Sequence, residues 1–427
     1  MIRIAALALA GLVLFQQPPS DPAASRKDDA QAQKPTFKSS TALVEVDAVI
    51  LDRDGNFVPN VKADDLTLFE NGKPQKIQQF FMVSNDVLLT EGSAKLQDPE
   101  QAQYNAHRVF VMVFDEGHLA NDSLMRVKVG AEKFVREMFH EGDAGGVFLG
   151  GGMYRGRLTV DKGELLNGIR AVQPGFENRQ ALLAPFVEWP RIDSEISASR
   201  IADGAREVTD ELGRKACQED PVQCASEGGL GNVENLIQQK ARLYVRQARM
   251  LTVRTLQNLE SVARGLAKIP GRKTVVFMSE GFFVEDSRSA IEQVAAQAAR
   301  SGITIYSIDG RGNINGLSIN PDVTKRERAR SAAFDTGEDG PTILTAITGG
   351  FMVHGIDDTA LAFGRIVRDT STYYVIGYQP DNAVMDGKYR KIDLKAKVPG
   401  LNIRARQGYL AVTLPPLQQI KAGGGGQ

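Results

Sequence analysis

Histidine and cysteine are scarce in this 427-residue chain, with four His and two Cys. A zinc cage needs several such ligands close together and a disulfide scaffold needs several cysteine pairs, so neither organises the molecule. One tryptophan and 7% aromatic residues leave no ladder of rings for stacking single-stranded nucleic acid. An excess of one charge is missing too. Fifty-one Lys+Arg stand against 52 Asp+Glu, a net charge of −1, which gives no global field for nucleic acid or an anionic surface. No apolar run reaches the roughly 20 residues that a membrane helix requires. What is present is ordinary for a globular chain: 42% hydrophobic and 24% charged residues, with length for two or three domains and ample core.

Behind Arg3, Ile4 to Phe15 (IAALALAGLVLF) is a run of twelve apolar or small residues, followed by QQPPSDPAAS with its three prolines. The run is too short to span a bilayer and matches the apolar core of a secretory signal. Ala23 and Ser25 are small enough for cleavage, and no Cys follows the run to take a lipid anchor. An uncleaved anchor is the alternative. The expectation is a signal over 1–25, a flexible lead-in over 26–40, and a secreted or periplasmic mature chain with no transmembrane segment. Export makes a Cys217–Cys224 disulfide chemically reasonable around the short loop QEDPVQ. Closing so small a loop is worth about 2.5 kcal/mol in the chain-entropy account.

Residues 41–84 alternate like half-buried strands. Val44, Val46, Ala48 and Ile50 share one face; Leu66 and Leu68 run into an Asn71-Gly72 hairpin turn, with Ile77 to Val83 expected as the return strand. Residues 85–106 are polar and read as a linker. From 107 the pattern changes to continuous apolar runs, as in a parallel sheet covered on both faces. These are Val109 to Phe114, Gly146 to Leu149, Thr274 to Met278, Ile303 to Ile308 and Tyr373 to Tyr378. Helical spacing over Ser123 to Phe139, Ser289 to Arg300 and Thr359 to Thr370 separates some of them. Strand, helix, strand in this order predicts an α/β sandwich over 107–379. Residues 181–270 interrupt it with a helical insertion, whose stripe from Ile237 to Leu266 ends at Pro270-Gly271. Strand grammar returns over 380–412, lysine-rich on one face, and 413–427 reads as a flexible tail. The two flanking β segments are expected to meet as one small antiparallel β-sandwich.

Three segments, VFVMVFDEGHL (109–119), RKTVVFMSEGF (272–282) and ITIYSIDGRG (303–312), resemble the strand ends of a von Willebrand factor type A domain. With the flanking segments VDAVILDRDGNFVPNVKADDLTLFENGKPQKI and YYVIGYQP…DGKYRKIDLKAKVPGLNIRARQGY, the chain is similar to the VWFA-related family of Acidobacteria over about 41–412. That resemblance implies a Rossmann-like α/β fold that binds rather than catalyses. It also implies Mg²⁺ held at the strand ends by an Asp-x-Ser-x-Ser loop, a distant Thr and a further Asp. This chain departs from the pattern. Asp115 fits the first position, but Gly117 and Leu119 stand at the two Ser positions, Glu280 stands where Asp is usual, and ENRQ near 177–180 offers no Thr. The residual candidates for Mg²⁺ or another divalent cation are Asp115, Glu116, His118 and Glu280, with Ser123 as a further oxygen.

Catalytic motifs do not complete themselves. There is no HExxH. Phe277-Met278-Ser279-Glu280-Gly281 has Phe where a nucleophile elbow needs Gly, and Gly150-Gly151-Gly152 leads into MYRGRLTV rather than a helix. The resulting expectation is a binding or adhesion module with a degenerate metal site. It would recognise a protein or cell-envelope partner, and no nucleic acid, through the loops 115–123, 150–156, 280–288 and 309–318. The alternatives are a structural envelope protein assembling through the long helix, and a metal-dependent hydrolase acting through Asp115, Glu116 and His118.

Overall fold

The computed structural model describes residues 43–84, 87–89, 108–175, 178–269, 271–282, 287–312 and 340–414. The segments expected as a signal and lead-in, most of the expected linker and tail, and residues 283–286 and 313–318 of the expected contact loops lie outside them. In chain order the strands and helices begin with β1 (Val44–Leu51), β2 (Leu66–Glu70), β3 (Lys73–Gln75), β4 (Ile77–Ser84), β5 (Val87–Leu89) and β6 (Val109–Phe114). Then come α1 (Asn121–Glu137), β7 (Ala144–Leu149), β8 (Gly152–Met153), α2 (Lys162–Ala171) and α3 (Arg179–Leu183). The helical stretch continues with α4 (Glu195–Ala202), α5 (Arg206–Glu219), α6 (Pro221–Ser226) and α7 (Leu230–Leu266). The last elements are β9 (Lys273–Ser279), α8 (Arg288–Arg300), β10 (Ile303–Asp309), α9 (Gly340–Thr348), β11 (Met352–Val353) and α10 (Thr359–Ser371), then β12 (Thr372–Tyr378), β13 (Tyr389–Ala396), β14 (Asn402–Ala405) and β15 (Gly408–Leu410).

The architecture is mixed α/β: one six-stranded sheet, ordered β11-β10-β9-β6-β7-β8, and two separate antiparallel sheets. Strands β11, β10, β9, β6 and β7 pair in parallel, and only the short β8 runs back along β7. Every residue of β6, β9 and β10 is buried, because helices cover both faces. Alternation sorts their side chains. Phe110, Met112 and Phe114 pack with Val127, Phe134 and Val135 of α1 and Phe363 of α10. Val109, Val111 and Val113 pack on the other face with Leu256, Leu259 and Val262 of α7 and Ile291 of α8. Each such large side chain taken fully out of water contributes roughly 1.5–3 kcal/mol. Helices α2 and α10 start at side-chain caps: Asp161 accepts the Gly163 N–H at 2.7 Å and Asp358 the Ala360 N–H at 3.0 Å.

Three strand expectations are corrected. Tyr373 to Tyr378, expected in the parallel layer, forms β12 and lies antiparallel between β1 and β4. Its alternate residues Tyr374, Ile376 and Tyr378 join the core of the antiparallel pair of sheets with Val44, Val46 and Ile50, so a buried central strand of a sandwich reads like a parallel one. The Asn71-Gly72 turn, with φ of 49° and 80°, does form a hairpin, since both positions need left-handed backbone. Its return is β3, however, while β4 crosses to the other sheet beside β12. The stretch from Leu401 to Leu410, which reads in sequence as one last strand, divides likewise into β14, against β1, and β15, against β13. Within the 85–106 linker, Val87–Leu89 pairs with β4 as β5.

Helix α7 is one uninterrupted helix of 37 residues, about 55 Å long at 1.5 Å per residue. Its residues up to Leu251 supply Val233, Ile237, Ala241, Tyr244 and Leu251 to a core shared with α4 and α5; from Leu256 on it covers the parallel sheet. Cys217 and Cys224 are joined in a disulfide. They are not bracketing an open loop: Cys217 lies in the last turn of α5, Pro221 opens α6 at its first position, and Asp220 caps α6 by accepting the Gln223 N–H.

Candidate functional site at the carboxyl ends of the central strands

The chain leaves β6 for β7 on one side and returns to β9 and β10 on the other. The carboxyl ends of β6 and β9 therefore flank the point where strand order reverses, which is where open α/β sheets open a crevice for ligands. Asp115 follows β6, and Ser279 and Glu280 sit at the end of β9. The ladder continues one step past the strand, with the Asp115 N–H donating to Met278 O at 3.0 Å. A tight turn then brings His118 back, its N–H donating to Asp115 O at 2.9 Å.

Asp115 is the hub. Its Oδ1 accepts the Thr255 hydroxyl at 2.8 Å, and its Oδ2 accepts the Ser279 hydroxyl at 2.8 Å and lies 3.0 Å from His118 Nδ1. Thr255 Oγ1 is also 3.2 Å from His118 Nδ1. All four residues are buried, Asp115 at 6% exposure. The Ser279 oxygen accepts the Gly281 N–H at 3.0 Å, so the hydroxyl relays between carboxylate and backbone. Phe282 leans against the His118 ring, centroids 5.7 Å apart, and caps the cluster on its apolar side.

The other acidic candidates face elsewhere. Glu280 Oε1 accepts the Ala120 N–H at 2.9 Å just before α1, which tethers that helix to β9. Glu116 Oε2 accepts the Gly150 N–H at 3.0 Å. Burial raises the Glu116 carboxyl above its usual range, the Gly150 N–H opposes this, and the neighbouring Asp115 adds to it. Ser123 Oγ accepts from Arg126 at 3.3 Å. At the end of β10, Asp309 holds Arg311 through both oxygens, at 2.6 Å for the closest pair. Of the four residues expected to share a cation, only Asp115 and His118 meet.

Mg²⁺ takes six oxygens at about 2.0–2.1 Å and keeps several waters. The donors here do not suit it: both Asp115 oxygens are taken by hydroxyl and ring donors in a sealed site, and Glu116 and Glu280 each serve a backbone N–H. Among the described residues, no three His, Cys, Asp or Glu side chains gather for a metal. The departures from the type A pattern have a steric counterpart. A Cβ on Gly117 would stand 3.3 Å from Leu251 Cδ2 of α7, and Leu119 is fully buried in the sheet core.

Thr255 and Ser279 are not among the site residues to which the sequence points. Ser279 was visible beside Glu280 in a strand-end motif. Thr255 lies 140 positions from its partner, inside the helical insertion, and no local pattern marks it. Compared with known proteins, the chain matches no family model and no curated sequence.

Proposed function

We propose that the protein is an exported binding module of the von Willebrand factor type A-like kind, gripping a protein or cell-envelope partner with the carboxyl-edge loops of its parallel sheet. The observation that carries this reading is the reversal of strand order between β6 and β9, with Asp115, Ser279 and Glu280 at their ends. The apolar run Ile4 to Phe15 supports export.

In this reading the acidic cluster is the mounting and an adjacent loop is the contact. The strand-end residues Asp115, His118, Leu119, Glu280 and Phe282 are buried, whereas Gly150, Gly151, Arg155, Gly156 and Arg157 are exposed. Glu116 anchors the start of this loop at Gly150. Arg155 adopts φ 53°, left-handed for a residue with a side chain, and lies over Tyr154 at 5.8 Å. Local strain of this sort concentrates where a loop is shaped for a ligand.

A hydrolase remains the alternative from another class. Asp115 lies between Ser279 and His118 rather than His118 between the other two, so Ser279 lacks the imidazole base of a triad and has only the Asp115 carboxylate to receive its proton. Capture from cell-envelope extract with wild type and with Tyr154→Ala/Arg155→Ala tests the binding reading. The expected result is a captured partner that the double variant loses. Equal capture by both overturns it. Turnover of an ester and phosphoester panel that disappears in Ser279→Ala or His118→Ala would establish the hydrolase instead.

A further inference from the structure

Helix α7 turns a second face outward. From Asn235 to Leu259 the sequence has four Arg and one Lys and no Asp or Glu, in a chain otherwise balanced in charge. At 100° per residue, Arg242, Leu243, Arg246, Met250, Val253 and Arg254 fall within an arc of about 120°. That arc lies opposite the stripe that fills the two cores. All six are exposed, the apolar members strongly so: Leu243 49%, Met250 61% and Val253 49%. Among the described residues, Arg242, Arg246 and Arg254 make no ion pair and no side-chain hydrogen bond.

We infer that this face of α7 docks on an anionic phospholipid surface. Three uncompensated guanidinium groups stand at the edges and middle of an exposed apolar ridge. A headgroup layer satisfies both kinds of side chain together: phosphates meet the arginines while Leu243, Met250 and Val253 reach the acyl boundary. Any helix face is convex across its axis, which suits a flat surface rather than the enclosing of a peptide. Its arginines are spread along roughly 18 Å of helix, a spacing that engages several headgroups at once. The inference does not depend on the strand-end loops.

Co-sedimentation of the full chain with vesicles of phosphatidylcholine alone, and of phosphatidylcholine and phosphatidylglycerol in equal parts, tests this. Wild type is expected to partition preferentially onto the anionic vesicles and to leave them at high salt. Arg242→Gln/Arg246→Gln/Arg254→Gln is expected to weaken that partition on the order of 100-fold, and the triple Lys variant to keep most of it. Met250→Trp adds a local readout, because its emission should shift to the blue only with anionic vesicles and independently of Trp189. Equal partition of wild type onto both vesicle types, unchanged binding by the triple Gln variant, or no spectral shift overturns the inference. Retention on a polyglutamate resin through the same arginines, without vesicle binding, would assign the face to an acidic protein and also overturn it.

Discussion

The two ends of the parallel sheet hold their charged groups in opposite ways. At the carboxyl end a carboxylate is enclosed by small, short-range donors: Thr255, Ser279 and His118 converge on Asp115 within 3.0 Å. Toward the amino end, where the sheet meets the antiparallel strands, guanidiniums are drawn largely out of water beside the Lys273 ammonium. Arg272 donates to Tyr306 Oη at 3.1 Å, stacks over Tyr373 at 4.2 Å and pairs with Asp47 at 3.5 Å. Arg404 pairs with Asp369 and lies 4.7 Å over Phe351, and Arg406 donates to the carbonyls of Ala299 and Glu45. Among the described residues, the Nε of all three has no hydrogen-bond partner. A compact carboxylate can be saturated by a few neighbours. A guanidinium with five donors in a fixed plane is harder to satisfy and leans on rings and charge instead.

This contrast sets an order of mutational costs. Asp115→Ala strands two hydroxyls and a ring nitrogen in a dry site and should cost about 3–4 kcal/mol in urea unfolding, more than any change at the amino end. Arg272→Met should cost about 2 kcal/mol, because Asp47 keeps 25% of its side chain exposed and regains water when its partner goes. A greater loss for Arg272→Met than for Asp115→Ala would invert the comparison. Thr255→Val, which removes one of three donors at nearly constant shape, should cost about 1–2 kcal/mol.

The smallest effect is a pH dependence at the amino end. Burial pushes the Lys273 ammonium down to about 8, against an ordinary 10.5, with Asp47 and Glu45 opposing. Between those values the unfolded chain binds a proton that the folded chain does not, so this residue makes stability rise with pH across that window. Unfolding of wild type and Lys273→Met at pH 8 and 9.5 should differ in slope by about 1 kcal/mol per pH unit, wild type gaining on the variant as pH rises. Parallel slopes would show that Lys273 keeps its proton in the folded state.

Legibility in the sequence followed the same divide. The continuous runs of β6, β9 and β10 and the stripes of α1, α8 and α10 announce themselves because burial on two faces, or along one stripe, imposes a period. Strand β12 misleads because its Tyr-Tyr-Val-Ile run is buried by a sandwich rather than by helices, and composition does not distinguish the two. Strands β3 and β4 are separated by a single residue yet serve different sheets, a choice fixed by tertiary pairing alone. At the strand ends, Asp115, Glu116, His118 and Glu280 could be named from the motif, but not where each would point. That depends on Thr255 and on the N–H groups of Ala120 and Gly150, all supplied by distant parts of the chain.

Helix α7 joins what the sequence would separate. The bundle around the disulfide and the layer behind the sheet are threaded on the same rod, and Leu251 and Thr255 lie where one gives way to the other. Between the outlying bundle and the turn that carries Thr255 to the Asp115 carboxylate there is no loop and no break in the helix.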